Sequence, residues 1–142
     1  MARENLAQTH NLLELCKITN EEELVSARLS VRMHARDLKF SIVNQTKIVT
    51  AASELGRNVL EHGHGGSLQI DKVTDAAGHL GLRLTFQDFG PGIEDIQLAL
   101  TDGYSSKKGL GLGLTGARRL MDEFDLHTSD NSGTKVVVTK WI

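Results

Sequence analysis

The sequence predicts an α+β fold, a two-layer sandwich in which helices cover one face of a mixed, mostly antiparallel sheet. Three observations carry that reading. Apolar residues recur at helical spacing over two long segments before position 62, the period changes to two after position 66, and the strands then come in hairpins instead of alternating with helices. With 142 residues and no linker, repeat or low-complexity tract, the chain reads as one domain spanning 1–142. A domain of that size buries roughly 68–70% of its unfolded surface without disulfides or metals.

The elements follow in order. Asn20 precedes Glu21, Glu22 and Glu23, so a capping side chain and first-turn carboxylates open a helix that runs to about Asp37. Its apolar positions are Leu24, Ala27, Val31, Ala35 and Leu38. A second helix begins near Asn44, carries Ile48, Ala52, Leu55 and Val59 on one stripe, and runs into the glycines after His62. Leu68 and Ile70 then mark a strand, and Leu80, Leu82, Leu84 and Phe86 alternate with polar residues in a second, joined through "DAAGH". "DFGPG" ends that hairpin. A short helix is expected over Ile93 to Leu100, then the glycine-rich "DGYSSKKGLGLGL" and a helix from about Leu114 to Phe124. Strands around Leu126 to Ser129 and Thr134 to Trp141, joined by "DNSG", close the fold.

Composition narrows the function. Sixteen basic against eighteen acidic residues give a formal charge of −2, which announces neither nucleic acid nor a membrane surface. The single Cys16 cannot form an internal disulfide, and nowhere do 18 or so apolar residues run together, so a cytoplasmic setting is expected.

Four features could carry chemistry. Asp88 shares the parity of Leu80 to Phe86, so its carboxylate points toward the buried face, a costly position unless donors reach it. It either caps the turn that follows or awaits a ligand's N–H group, with Gly90 and Gly92 allowing close approach. Glu54 and Asn58 are four residues apart and stack on one helix face. They are either a solvated flank or a carboxylate and an amide able to manage a hard cation and a nucleophile. Gly109, Gly111 and Gly113 precede a helix, which suits an anion site as well as a flexible loop. Gly111, Gly113 and Gly116 also satisfy G-x-G-x-x-G, but "DGYSSKK" is a poor strand and a dinucleotide fingerprint needs one. The H-x-H pair His62 and His64 lacks further ligands at zinc spacing. On the first helix, Arg28, Arg32 and Arg36 form an i, i+4 stripe that is either solvated or able to dock an acidic partner. His34, in "MHARDL", resembles a phosphoacceptor only faintly, because no dimerisation hairpin accompanies it, and Trp141 is expected to be packed.

The order of these features is itself informative: E-x-x-x-N on a helix, D-x-G-x-G after a strand, G-x-G-x-G before a helix, then G-T entering a strand. It resembles the GHKL superfamily with its Bergerat ATP-binding fold, over about Asn20 to Ile142. Within it, "SELGRN", "DFGPGIEDI", "DGYSS", "GLGLGL" and "RRLMDEF" are most similar to the small anti-sigma regulatory serine/threonine kinases, and especially to the switch kinases of the stressosome. The resemblance implies ATP and Mg2+ as cofactors. It makes Glu54 the general base or its organiser and Asn58 the magnesium ligand. Asp88 would accept a hydrogen bond from the adenine amino group, helped by Gly90, Gly92 and, through water, Thr134. The run Gly109, Leu110, Gly111, Leu112 and Gly113 would contact the triphosphate, with Lys107 or Lys108 an extra phosphate contact. The short stretch between "SS" and the glycines departs from other anti-sigma kinases. His62 and Gly63 match the superfamily's usual "HG" helix ending. The implied partner is a STAS-domain protein, with a phosphatase activated by binding; the alternative is an anti-sigma factor that sequesters a sigma factor.

Overall fold

Asn20 caps the first helix as its side chain takes the Glu23 backbone N–H at 2.8 Å, while the Glu23 carboxylate returns to the Thr19 N–H at 2.9 Å. Two otherwise orphaned amides are thereby satisfied at one helix start. This cap joins the first two elements of a computed structural model that describes residues 8–90, 110–129 and 133–142. The element order is β1 (Thr9–Ile18), α1 (Glu21–Asp37), α2 (Ile42–Glu61), β2 (Gly66–Thr74), β3 (Leu80–Asp88), α3 (Leu110–Leu120), β4 (Glu123–Ser129) and β5 (Gly133–Trp141). The strands form one sheet in the order β1-β2-β3-β5-β4, and each neighbouring pair is antiparallel. The final strand therefore lies inside the sheet, between β3 and β4.

The core fills the space between one sheet face and the helices. Leu68, Ile70, Leu82, Leu84, Phe86 and Val138 from the strands meet Leu24, Val31, Ile48, Leu55 and Leu114 from the helices, all nearly inaccessible to water. Gly56 lets α1 approach α2, because a Cβ there would lie 2.6 Å from Leu24 Cδ1. No helix among the described residues is long and apolar enough to cross a membrane.

The expected fold class holds, with two differences in its elements. Strand β1 was not foreseen. Apart from Ile18 it is exposed or half-buried, and a bulge between Leu12 and Glu14 resets its parity, so Leu12, Leu13 and Leu15 break the alternation that marks a strand. The third helix occupies Leu110–Leu120 instead of about Leu114 to Phe124. Leu114, Ala117 and Met121 bury its apolar stripe, and its backbone continues one turn back into the glycine run. Its other end is set by the sheet. Lys140 Nζ donates to the Leu120 carbonyl at 3.0 Å, Asp122 N donates to Thr139 O at 2.9 Å, and Asp122 Oδ2 accepts the Trp141 N–H at 2.7 Å. These bonds turn the chain out of the helix, so Phe124 pairs with Val138 in β4. The short helix expected over Ile93 to Leu100 and most of the "DNSG" turn lie outside the described residues.

Candidate functional site

Asp88 ends β3 on the same face as Phe86, as its parity predicts, and is 8% exposed. Its Oδ1 accepts two backbone N–H groups, from Gly90 at 2.9 Å and from Thr134 at 3.1 Å. Two amide donors offset part of the cost of burying a carboxylate. Among the described residues no donor is directed at Oδ2. The result is an acid fixed at one oxygen, with no donor to the other among the described residues.

Backbone crowding fixes it further. A Cβ on Gly63 would lie 2.3 Å from Asp88 Cγ, and one on Gly90 would lie 2.7 Å from Gly63 Cα. Gly133 has φ +82, and a Cβ there would lie 2.1 Å from the Asp88 carbonyl oxygen. Three chain segments, the end of α2, the end of β3 and the start of β5, thus close on one carboxylate with no room for side chains. The turn-capping reading of Asp88 is correct for Oδ1 and leaves Oδ2 unexplained. Gly63 and Gly133, the glycines of the "HG" and "GT" pairs, are thus the sequence signals for this convergence.

Helix α2 starts at Ser41, whose hydroxyl accepts the Asn44 N–H at 3.1 Å, and ends where His62 N and Gly63 N both donate to Asn58 O at 2.9 and 3.1 Å. Asn58 therefore braces the turn whose Gly63 lies against Asp88. Its side-chain Nδ2 is buried and has no hydrogen-bond partner among the described residues. Leaving a buried amide nitrogen unpaired costs about 1–3 kcal/mol. One turn earlier, Glu54 is exposed on the same helical face. Asn58 and Asp88 thus both adjoin Gly63, one through a backbone hydrogen bond and the other through close packing, while Glu54 stands at the solvent side.

Thr134 lies beside Asp88 through its backbone, and its hydroxyl is 3.4 Å from that of Thr128. His64 is exposed with φ +60, and no three His, Cys, Asp or Glu side chains converge as metal ligands among the described residues. Gly92, Lys107, Lys108 and Gly109 lie outside the described residues. Leu110, Gly111, Leu112 and Gly113 form the first turn of α3 instead of a loop before it, and α3 packs against α2. His34 is not free for chemistry: its Nε2 is 2.8 Å from Glu14 Oε1. Trp141 is packed, as expected, with Nε1 donating to Glu123 Oε2 at 2.6 Å.

Residues 18–140 match the model of the histidine kinase-like ATPase domain, an ATP-using family. The chain belongs to this family. The histidine kinase-like ATPase domain described here is 42% identical to the serine/threonine-protein kinase RsbT of Bacillus subtilis, over 89% of this chain and 94% of that protein. It is 31% identical to an anti-sigma F factor of Thermoanaerobacter, over 93% of this chain and 94% of the other. Its fold is similar to a crystal structure of the RsbU and RsbW domains of a Mycobacterium tuberculosis protein, with a TM-score of 0.60 and 19% identity over 94% of this chain and 32% of that longer one. These matches bear out the resemblance and the Bergerat-type fold expected from the motifs.

Proposed function

We propose that this domain is an ATP- and magnesium-dependent serine/threonine protein kinase that phosphorylates a STAS-domain partner and acts as a partner switch. The observation that carries the reading is Asp88, buried, clamped at Oδ1 and with no donor to Oδ2 among the described residues. Oδ2 is the acceptor for a purine amino group, and the crowded glycines hold it where a flat base can lie against backbone. The serine/threonine-protein kinase and the anti-sigma F factor among its relatives support the activity class.

Asn58 would hold magnesium through its side-chain Oδ1, the oxygen donor type that this cation prefers, with water completing its shell, while its Nδ2, which cannot ligate a cation, has no partner among the described residues. Bound there, magnesium neutralises phosphate charge. Glu54, exposed one turn away, accepts the proton of the incoming hydroxyl as that oxygen bonds to the γ-phosphorus and the bond to the β-phosphate oxygen breaks, releasing ADP. Backbone N–H groups at the start of α3 receive the phosphates, and the resemblance makes Lys107 or Lys108 a further phosphate contact. After transfer, the chain leaves its scaffold and binds a phosphatase that it activates.

The 31% identity to an anti-sigma F factor favours one rival, a nucleotide-gated factor that sequesters a sigma factor. Incubating the purified chain with γ-labelled ATP, a purified STAS domain and a purified sigma factor separates the two. Label on serine or threonine of the STAS domain is expected. Tight capture of the sigma factor without transfer of label would overturn the kinase reading.

A further inference from the structure

The face of the sheet turned away from the core carries a cavity of its own. Leu82, Leu84 and Phe86 point into the core, so Arg83 of β3 lies on the opposite face. Register sets Arg83 beside Thr139 of β5 and Thr139 beside Glu123 of β4, and in the next row it sets Val137 beside Asp125. A cavity of about 380 Å³ opens over these two rows, with His10 of β1 at its other side. That volume falls within the roughly 300–1,000 Å³ of small-molecule sites.

One wall of the cavity is cationic and already fixed in place. The Arg83 side chain is only 14% exposed. Its Nε donates to Thr139 Oγ1 at 2.9 Å, and its Nη2 donates to Gln8 Oε1 at 3.1 Å and lies 3.6 Å from Glu123 Oε1. Its Nη1 meets the ring nitrogens of His10 at 3.4 and 3.5 Å, the long limit of hydrogen bonding. A guanidinium has five N–H donors, so Nη1 keeps a proton for the cavity. The facing wall is anionic. Glu123 Oε2 takes the Trp141 Nε1–H, whereas the exposed Asp125 carboxylate has no hydrogen-bond or ion-pair partner among the described residues.

From this arrangement we infer that the outer face of the sheet holds a second binding site, for a free α-amino acid. The ammonium group meets Asp125 and Glu123, the carboxylate meets Arg83 Nη1, and the side chain lies over Val137. With Arg83 only 3.6 Å from Glu123, the two poles adjoin, which matches charges carried on one carbon and not the separated charges of a long ω-amino acid. A polyphosphate would meet two carboxylates, and a simple amine would leave Arg83 Nη1 without a strong acceptor. The cavity is lined by none of the residues assigned to nucleotide, so this inference and the kinase reading can fail separately.

The test is calorimetric titration of the full chain with each of the twenty free amino acids. At least one should bind saturably, with a Kd below about 1 mM. The best of them is then compared with its decarboxylated amine and its deaminated acid, each expected to bind at least about tenfold more weakly. Asp125→Asn should weaken the amino acid about tenfold or more, and Arg83→Lys, which keeps the charge and loses the fork, should do the same. Unchanged binding of a fluorescent ATP analogue shows that each variant is folded; should the buried Arg83 variant not fold, Asp125→Asn decides alone. Absence of saturable binding across the panel overturns the proposal. So does an amine or acid that binds as tightly as the amino acid, undiminished binding to Asp125→Asn, or displacement of the amino acid by ATP.

Discussion

The two ends of the candidate site are built in opposite ways. At the Asp88 end, three backbone segments press together without Cβ atoms and two amides hold one oxygen. At the Glu54–Asn58 end, one side chain is exposed and the other carries an amide with no partner among the described residues. The first end is rigid and suits recognition of a flat, uncharged base, where a small misplacement costs affinity. The second is under-satisfied and suits chemistry, where groups must stay free until phosphate, metal and hydroxyl arrive. Under the proposed assignment, binding is concentrated at one end and transfer at the other.

If that division is right, changes at the open end should strike turnover and spare binding. Glu54→Gln should lower phosphate transfer by about 10²–10⁴-fold, the usual contribution of a general base, while ATP affinity measured by calorimetry stays within about twofold. A parallel loss of affinity would break the comparison. Asp88→Asn should do the reverse at the binding step. The amide oxygen can still accept from Gly90 and Thr134, but an amino group now faces the base, so ATP affinity should fall by about 10²-fold, close to 2.7 kcal/mol. Unchanged affinity in that variant would remove the assignment of Asp88.

Gly63→Ala sharpens the same point through shape alone, since its methyl group would collide with Asp88. It should destabilise the fold by about 1–3 kcal/mol in denaturant titration and weaken ATP at the same time. Asn58→Ala should raise the magnesium concentration needed for transfer without lowering the melting temperature, because it deletes an unpartnered buried amide. A drop in melting temperature would show that Asn58 is structural.

The smallest effect is expected away from both ends. The hydrogen bond from His34 holds the Glu14 carboxyl below its ordinary value of 4.5, against a smaller opposing effect of burial. A lowered folded pKa contributes stability above the unfolded value that is lost as pH falls through the folded one. With Glu14 more than a third exposed, the contribution is at most about 0.5–1 kcal/mol. Glu14→Gln should therefore lower the melting temperature slightly at neutral pH and not at all below the carboxylate range.

Much of this was legible in the sequence because the period of the apolar residues reports burial directly. Leu24, Ala27, Val31 and Ala35 are all buried, and the alternation of Leu80 to Phe86 put Asp88 on the correct face. Strand β1 was illegible for the same reason, since an exposed edge strand with a bulge has neither alternation nor a buried face to report. The end of α3 was misplaced because bonds from Lys140 and Trp141, some twenty residues downstream, decide where the helix stops. For the site, types and spacing singled out Asp88 and Asn58 as candidates, but only coordinates reveal that glycines from the end of α2 and the start of β5 converge on one carboxylate. Steric crowding of backbone by backbone leaves no periodic trace.

The interior position of β5 has a consequence for biosynthesis. Neither β3 nor β4 can complete its hydrogen-bonded ladder until residues 133–141 have left the ribosome, and Thr134, which supplies one of the two amides to Asp88, arrives with them. A nascent chain can form the α1–α2 pair and the β2–β3 hairpin early, yet the clamp on Asp88 stays incomplete until β5 is threaded between two waiting neighbours.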